Sequence, residues 1–183
     1  MITLIAAMAV TVAPPLEAAE TIVRAQSAEV VRHFMDRDMR HMVTHVHPTY
    51  GVRFTPYANL SKTDQVFTPQ QMLNLFNNRK AYTWGTLAGS GNTIKMTFPE
   101  YYKRFVYSRD FSQAPEATYN TVARAGSIGN NSSTFFVGSR FIDYHWPGTV
   151  QNGGLDWRTL RMVFMPWKDN WLLVAVANDE QVR

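Results

Sequence analysis

The stretch DWRTLRMVFMPWKDNWLLVAVAN, residues 156–178, reads as two β-strands and the turn that joins them. Leu160, Met162 and Phe164 alternate with Arg161 and Val163, the two-residue period of a strand with one buried face. Leu172, Val174 and Val176 repeat the period after Lys168-Asp169-Asn170, a polar tripeptide suited to a tight turn. The spacing predicts strands over 156–166 and 171–178, the closing hairpin of an antiparallel sheet.

Upstream, segments 119–125 and 133–146 read as further strands. The polar connector Gly126-Ser127-Ile128-Gly129-Asn130-Asn131 separates them. Residues 81–87 and 92–97 flank Ala88-Gly89-Ser90-Gly91, a glycine-rich hairpin turn. That turn has neither the lysine of a phosphate-binding loop nor the glycine spacing of a dinucleotide fold. Thr68-Pro69 marks a helix start, a capping hydroxyl followed by proline at the first helical position. The helix it opens carries Met72, Leu73, Leu75 and Phe76, and Phe98-Pro99-Glu100 opens another. Val52 and Phe54 alternate with Arg53 and Thr55 in a short strand ended by Pro56.

Residues 21–46 read as helix. Val23, Val30, Val31, Phe34, Met35, Met39, Met42, Val43 and Val46 recur at three- and four-residue spacings. A kink is expected near Arg37, with Asp38 capping the second piece, and Pro48 ends the run.

The 183 residues suit one domain, and no internal repeat or linker divides them. Hydrophobic residues make up 45% and charged residues 17%, which is not a disordered composition. The absence of cysteine excludes disulfides, thiolate metal sites and a cysteine nucleophile. The net charge of +4 comes from lysines and arginines scattered singly or in pairs, without the clustered face of a nucleic-acid binder, so no nucleic acid is expected as a partner.

Residues Ile2 to Ala13 are nearly all apolar or small, and Pro14-Pro15 breaks the run. A dozen apolar residues is too short to span a bilayer, which needs ~20, and matches the core of a signal peptide. The expectation is a signal peptide over 1–19, cleaved after Ala18 or Ala19, and a single α+β domain over 20–183. The domain would be exported, periplasmic or secreted, with no stable membrane insertion of the mature chain. A short buried N-terminal element is the plainer alternative.

The order of elements predicts an α+β fold: an N-terminal kinked helix packed on a curved antiparallel sheet, with an inserted hairpin and helices. Phe34-Met35-Asp36-Arg37-Asp38-Met39 through Val46-His47-Pro48 resembles the opening of the NTF2-like superfamily, a cystatin-like layout. The ending VFMPWKDNWLLVAVAND resembles that fold's terminal hairpin. HVHPTYGVRFTPYA, AYTWGTLAGSG, TFPEYYKRFVY and GGLDWRTLRMVF are more closely similar to recurring segments of an uncharacterised family of bacterial exported proteins and lipoproteins. That resemblance implies export and no particular activity. Relatives anchored by a lipid on cysteine have no counterpart here, so the resemblance implies a soluble mature chain.

Asp143 and His145, two apart on a predicted strand, share one face with Phe141, while Ile142, Tyr144 and Trp146 share the other. An Asp and a His facing a pocket together form an acid–base pair, as in NTF2-like isomerases, dehydratases and cyclases. If that face is convex, both are solvated and Tyr144 and Trp146 fill the core. The larger apolar face favours this second arrangement.

The candidate ligand-binding residues are His47, Arg53, Tyr57, Trp84 and Tyr102, on the view that a small molecule, peptide or envelope partner enters an aromatic-lined cavity. The alternative has Arg53 paired with an acid such as Asp156 and Tyr57 in the core. His41 and His45, four apart on a helix, have a spacing that can bind a metal, with His47 close by. No further ligand sits at a telling distance, so no metal or other cofactor is expected. Asp156, Arg158 and Arg161 read as a strand-surface ion-pair group, and Asp179-Glu180 as a solvated C-terminus.

Overall fold

The computed structural model describes residues 16–181. The apolar run of the expected signal peptide lies outside those residues. The first element, α1 (Leu16–Asp36), buries Ala19, Val23, Val30 and Phe34 along one face. It ends in a Schellman turn: the Arg37 N–H donates to Phe34 O at 3.1 Å and the Asp38 N–H to His33 O at 2.9 Å. Arg37 has φ 54°, the left-handed position that glycine normally fills. Asp38 then caps α2 (Met39–Met42), accepting from the His41 N–H at 3.1 Å. The kink and cap expected from the sequence are both present. A 3₁₀ turn, Val43–His45, follows.

The strands are β1 (Val52–Thr55), β2 (Gln65–Phe67), β3 (Ala81–Thr86), β4 (Thr93–Thr97), β5 (Glu116–Tyr119), β6 (Arg140–Trp146), β7 (Arg158–Trp167) and β8 (Asn170–Glu180). Six of them form one sheet in the order β2-β1-β8-β7-β6-β5, and β3 and β4 form a separate hairpin. The sheet is mixed where the sequence predicted an antiparallel one, because β1 runs parallel to β8. The chain leaving the 3₁₀ turn already lies along β8: Val46 bridges Leu173 in parallel, and the His47 N–H donates to Leu173 O at 2.9 Å. The direction of β1 is set at that bridge.

The closing hairpin forms as expected but contains a bulge. Val163 pairs with Ala175 and Phe164 with Leu173, so Val174 is an extra residue. Leu173 and Val176 therefore face α1, whereas Val174 joins Leu60, Phe141 and Val163 on the opposite face. This corrects the single face predicted for Leu172, Val174 and Val176. Two other predicted strands shift: β5 begins before residue 119, and the second starts only at Arg140, after α5 (Ser132–Phe135) and a turn.

Helix α3 (Pro69–Met72) opens with a complete capping box between Thr68 and Gln71 and lasts barely one turn. In α4 (Phe98–Tyr101), Glu100 reaches back to the Thr97 N–H, and a π-helical turn, Tyr102–Val106, continues it. These elements and the β3–β4 hairpin cover the same sheet face as α1. There Trp84 stacks on Tyr101 with ring centroids 3.8 Å apart. Segment 120–139 covers part of the other face, where Val122, Phe135 and Phe136 pack on the smaller apolar cluster.

Gly51, with φ 64°, turns the chain into β1, and a Cβ there would lie 2.6 Å from Phe67 O. Gly138 has φ 84° and open space around it. Gly51→Ala should therefore cost about 2 kcal/mol or more, and Gly138→Ala only the ~1 kcal/mol of a left-handed alanine. Urea denaturation compares them, and equal losses would show that Phe67 O moves aside freely.

Candidate functional site

Glu180 ends β8 on the face that also carries Val176 and Asn178, and it is buried. Its cross-strand partner is Arg158, whose Nε lies 3.0 Å from Oε2. The π-helical turn brings Arg104 onto the same carboxylate from a second direction. Arg104 Nη2 donates to Oε1 at 2.6 Å and Nη1 to Oε2 at 2.9 Å. Two guanidinium groups thus share one carboxylate, and that hydrogen bonding raises the pKa of Arg104 further. Around them Tyr57, Leu87, Ala88, Leu155 and Asp156 complete a groove of about 310 Å³. The Tyr57 hydroxyl accepts the Ala88 N–H at 2.9 Å, tying the β3–β4 turn to the groove wall. Asp156 accepts the Thr149 N–H at 2.6 Å and pairs with Arg109 at 3.2 Å. The backbone hydrogen bond from Thr149 leads the interactions that hold its pKa down at about 2.

The opposite sheet face carries a buried polar layer. Asp143 is fully buried and receives Arg161 in a two-point contact, Nε to Oδ1 and Nη2 to Oδ2, both 2.7 Å. The Ala123 N–H adds a third donor at 3.2 Å. His145 Nδ1 lies 2.8 Å from Thr159 Oγ1, and its ring meets Trp157 at 5.9 Å. Asp179 Oδ2 is 4.0 Å from Arg161 Nη2. Gly126 sits over Asp179 so closely that a Cβ there would lie 2.4 Å from Oδ1. Burial raises the Asp179 carboxyl to about 7, against the lowering pull of Arg161.

Asp143 and His145 do lie on one face, and it is the face away from α1. Tyr144 points the other way, its hydroxyl 3.0 Å from Ser27 Oγ of α1. The expectation that this face is solvated is corrected: Asp143 is 0% and His145 5% exposed. Segment 120–139 folds back over the sheet and shuts water out.

The five candidate ligand residues are spread over the molecule. Tyr57 alone lines the groove. His47 is buried against Tyr50 and Trp167, its Nδ1 accepting the Thr49 and Tyr50 N–H groups at 3.1 and 3.2 Å. Arg53 donates to Ser61 O at 2.5 Å and lies over Phe135, so Asp156 is not its partner. Trp84 donates to Met96 O at 3.0 Å from within the core. Tyr102 is buried as well, its hydroxyl donating to Phe34 O. These aromatic residues fill the core and do not line a common cavity.

His41 and His45 gather about the buried His33, with ring centroids 5.7 and 5.3 Å from it. His41 Nδ1 is taken by Asp38 at 2.5 Å and His45 Nδ1 by Gln26 at 2.5 Å. No group of three or more His, Cys, Asp or Glu among the described residues is arranged to hold a metal ion.

Arg104 escaped the sequence reading, and Arg158, Arg161, Asp179 and Glu180 were expected in other roles. The Asp156–Arg158–Arg161 surface group dissolves into three separate pairs, with Arg109, Glu180 and Asp143 respectively. Asp179 and Glu180 are not a solvated tail; alternation sends them to opposite faces, and both are buried. A signal was present, since counting outward from the Lys168–Asn170 turn brings Arg158 opposite the Asp179-Glu180 pair. No family model, curated protein or solved structure matches this chain.

Removing one partner of the Asp143–Arg161 pair strands a buried charge. Asp143→Ala should cost about 3–5 kcal/mol, and His145→Ala about 1–2 kcal/mol through the lost hydrogen bond. A loss near zero for Asp143→Ala would show that the layer is hydrated. Asp179 acts in the opposite sense. Its folded pKa lies above the ordinary carboxylate value, so between about pH 4 and pH 7 the folded chain holds a proton that the unfolded chain has released. This contribution to stability falls as pH rises through that window and is constant above it. Asp179→Asn should raise the melting midpoint at pH 8 by roughly 4–8 °C and change it little at pH 4. Melting curves across that range check the sign. Buried His33 and half-buried His45, with pKa values lowered chiefly by desolvation, act oppositely and remove stability as pH falls below 6.5.

Proposed function

We propose that this chain is an exported bacterial binding domain without catalytic activity, and that its ligand enters the Tyr57–Arg104–Arg158–Glu180 groove. The observation that carries the reading is the convergence of Arg104 and Arg158 on one buried carboxylate at a groove of about 310 Å³. Each guanidinium has five N–H donors in a fixed fork. Glu180 and the Trp157 carbonyl occupy only some of these. The surplus positive charge and unused donors suit a ligand carboxylate, such as a small organic acid or the free C-terminus of a peptide. Tyr57, Leu87 and Leu155 offer apolar surface beside it.

The apolar segment Ile2–Ala13 supports export, as does the similarity of HVHPTYGVRFTPYA and GGLDWRTLRMVF to segments of a family of bacterial exported proteins. No helix among the described residues is long and apolar enough to cross a membrane. The acid–base reading of Asp143 and His145, on NTF2-like lines, is the weaker one. Arg161 and the Ala123 N–H occupy the Asp143 carboxylate, and Thr159 occupies His145 Nδ1. Neither group is presented to a substrate.

Calorimetric titration with a short peptide, with its C-terminus free or amidated, tests the groove. The free acid should bind at least roughly tenfold more tightly. Arg104→Ala and Arg158→Ala should each remove most of that difference, and Glu180→Gln, which releases both arginines, should strengthen binding. Equal binding of the two peptides would overturn the assignment. For export, the intact mass of protein from the native host should give a chain beginning at Ala19 or Glu20; a retained Met1–Ala18 segment would refute it.

A further inference from the structure

A second groove, independent of the first, lies between the α1–α2 turn and the α3 segment. Its volume is about 540 Å³, and Arg37, Asp38, Arg40, Leu73, Phe76 and Pro99 line it. Arg37 occupies the one position of the Schellman turn where a side chain strains the backbone. Such outliers persist where the surroundings hold them, and they concentrate at binding sites. Here the surroundings are two rings: the Arg37 guanidinium carbon lies 5.8 Å from the Phe76 centroid and 5.7 Å from that of Tyr102. Phe76 and Tyr102 are themselves locked edge to face, 4.9 Å apart. The guanidinium is thus fixed in place before any ligand arrives.

Neither Arg37 nor Arg40 forms an ion pair among the described residues, although Asp36 and Asp38 are close in sequence. The Asp38 carboxylate is engaged by the His41 backbone N–H and ring, at 3.1 and 2.5 Å. Asp36 and Asp38 offset the charge of the two arginines, which disfavours a doubly charged ligand; the attraction for a single carboxylate comes from the directed N–H donors of Arg37 and Arg40. Leu73, Phe76 and Pro99 supply an apolar floor.

We propose that this groove binds the carboxylate of a small amphipathic acid, with Arg37 and Arg40 on the carboxylate and Leu73, Phe76 and Pro99 beneath the apolar body. The planar fork of Arg37 suits two-point contact with a carboxylate, and the ring stack decides its orientation.

Octanoate is the probe, octanol its uncharged counterpart and inorganic phosphate the bare anion. Amide NMR titration of the full chain locates each. Octanoate should shift the resonances of residues 37–40 and 73–77 and bind at least roughly tenfold more tightly than octanol or phosphate. Arg37→Gly removes the guanidinium while suiting the backbone of the turn, and should weaken octanoate roughly tenfold with the remaining spectrum intact. Arg40→Ala, at an exposed position, gives a second variant that keeps the fold and should also weaken binding. Octanol binding as well as octanoate, an undiminished response in both variants, or shifts confined to the Tyr57–Arg158 groove would each overturn the proposal. The last outcome would leave the reading of that first groove standing.

Discussion

The Arg161–Asp143 pair ties the fold together. Both side chains are wholly out of water, on the sheet face that α1 does not cover. Two ions so placed lose several kcal/mol of hydration each, and only good geometry and a dry, polar setting offset the loss. The two 2.7 Å contacts supply the geometry. Segment 120–139 supplies the cover, with the Ala123 N–H on Asp143 and Gly126 pressed over Asp179. One donor stays unsatisfied beneath that cover, since Arg161 Nη1 is buried without a hydrogen-bond partner. The pair also fixes register. Asp143 stands directly opposite Arg161 across β6 and β7, and a slip of one residue would turn one charge into the apolar core.

The same constraint explains which parts of the fold were legible in the sequence. The β7–β8 hairpin was readable because strict alternation and a polar turn are local signals. The α1 kink was readable because Asp38 is a capping residue placed just where the apolar period breaks. The Val174 bulge was not, because one extra apolar residue in an apolar strand leaves the composition unchanged and only the pairing reveals it. The parallel placement of β1 was hidden for a related reason: it depends on where Val46 meets Leu173, residues 127 apart in the chain.

Site residues were less legible than the fold, and the failure has one physical source. Alternation assigned Asp143 and His145 to the correct face, but solvation was judged from the strand alone. A loop of glycine, serine and asparagine carries no sign that it will fold back as a roof. The aromatic residues misled in the opposite direction. Tyr and Trp suit pockets, yet Trp84 and Tyr102 satisfy their polar atoms on the carbonyls of Met96 and Phe34 and serve the core. The arginines misled as well, because a guanidinium reads alike whether it is spent or free: Arg53 stood as a ligand candidate and Arg158 and Arg161 as a surface group.

Four arginines show what separates those two states. Arg161 is buried, and its carboxylate partner matches it point for point, so it acts as structure. Arg158 and Arg104 share a single carboxylate, which leaves both fixed in position with charge in excess. Arg37 has no carboxylate partner and is held by two aromatic faces, which orient a cation without neutralising it. Along this series the geometry stays defined while the local neutralisation falls. A side chain that is both fixed and unneutralised loses little entropy on meeting an anion and has charge to offer it. Both proposed sites are therefore placed where arginines are held in position and incompletely neutralised.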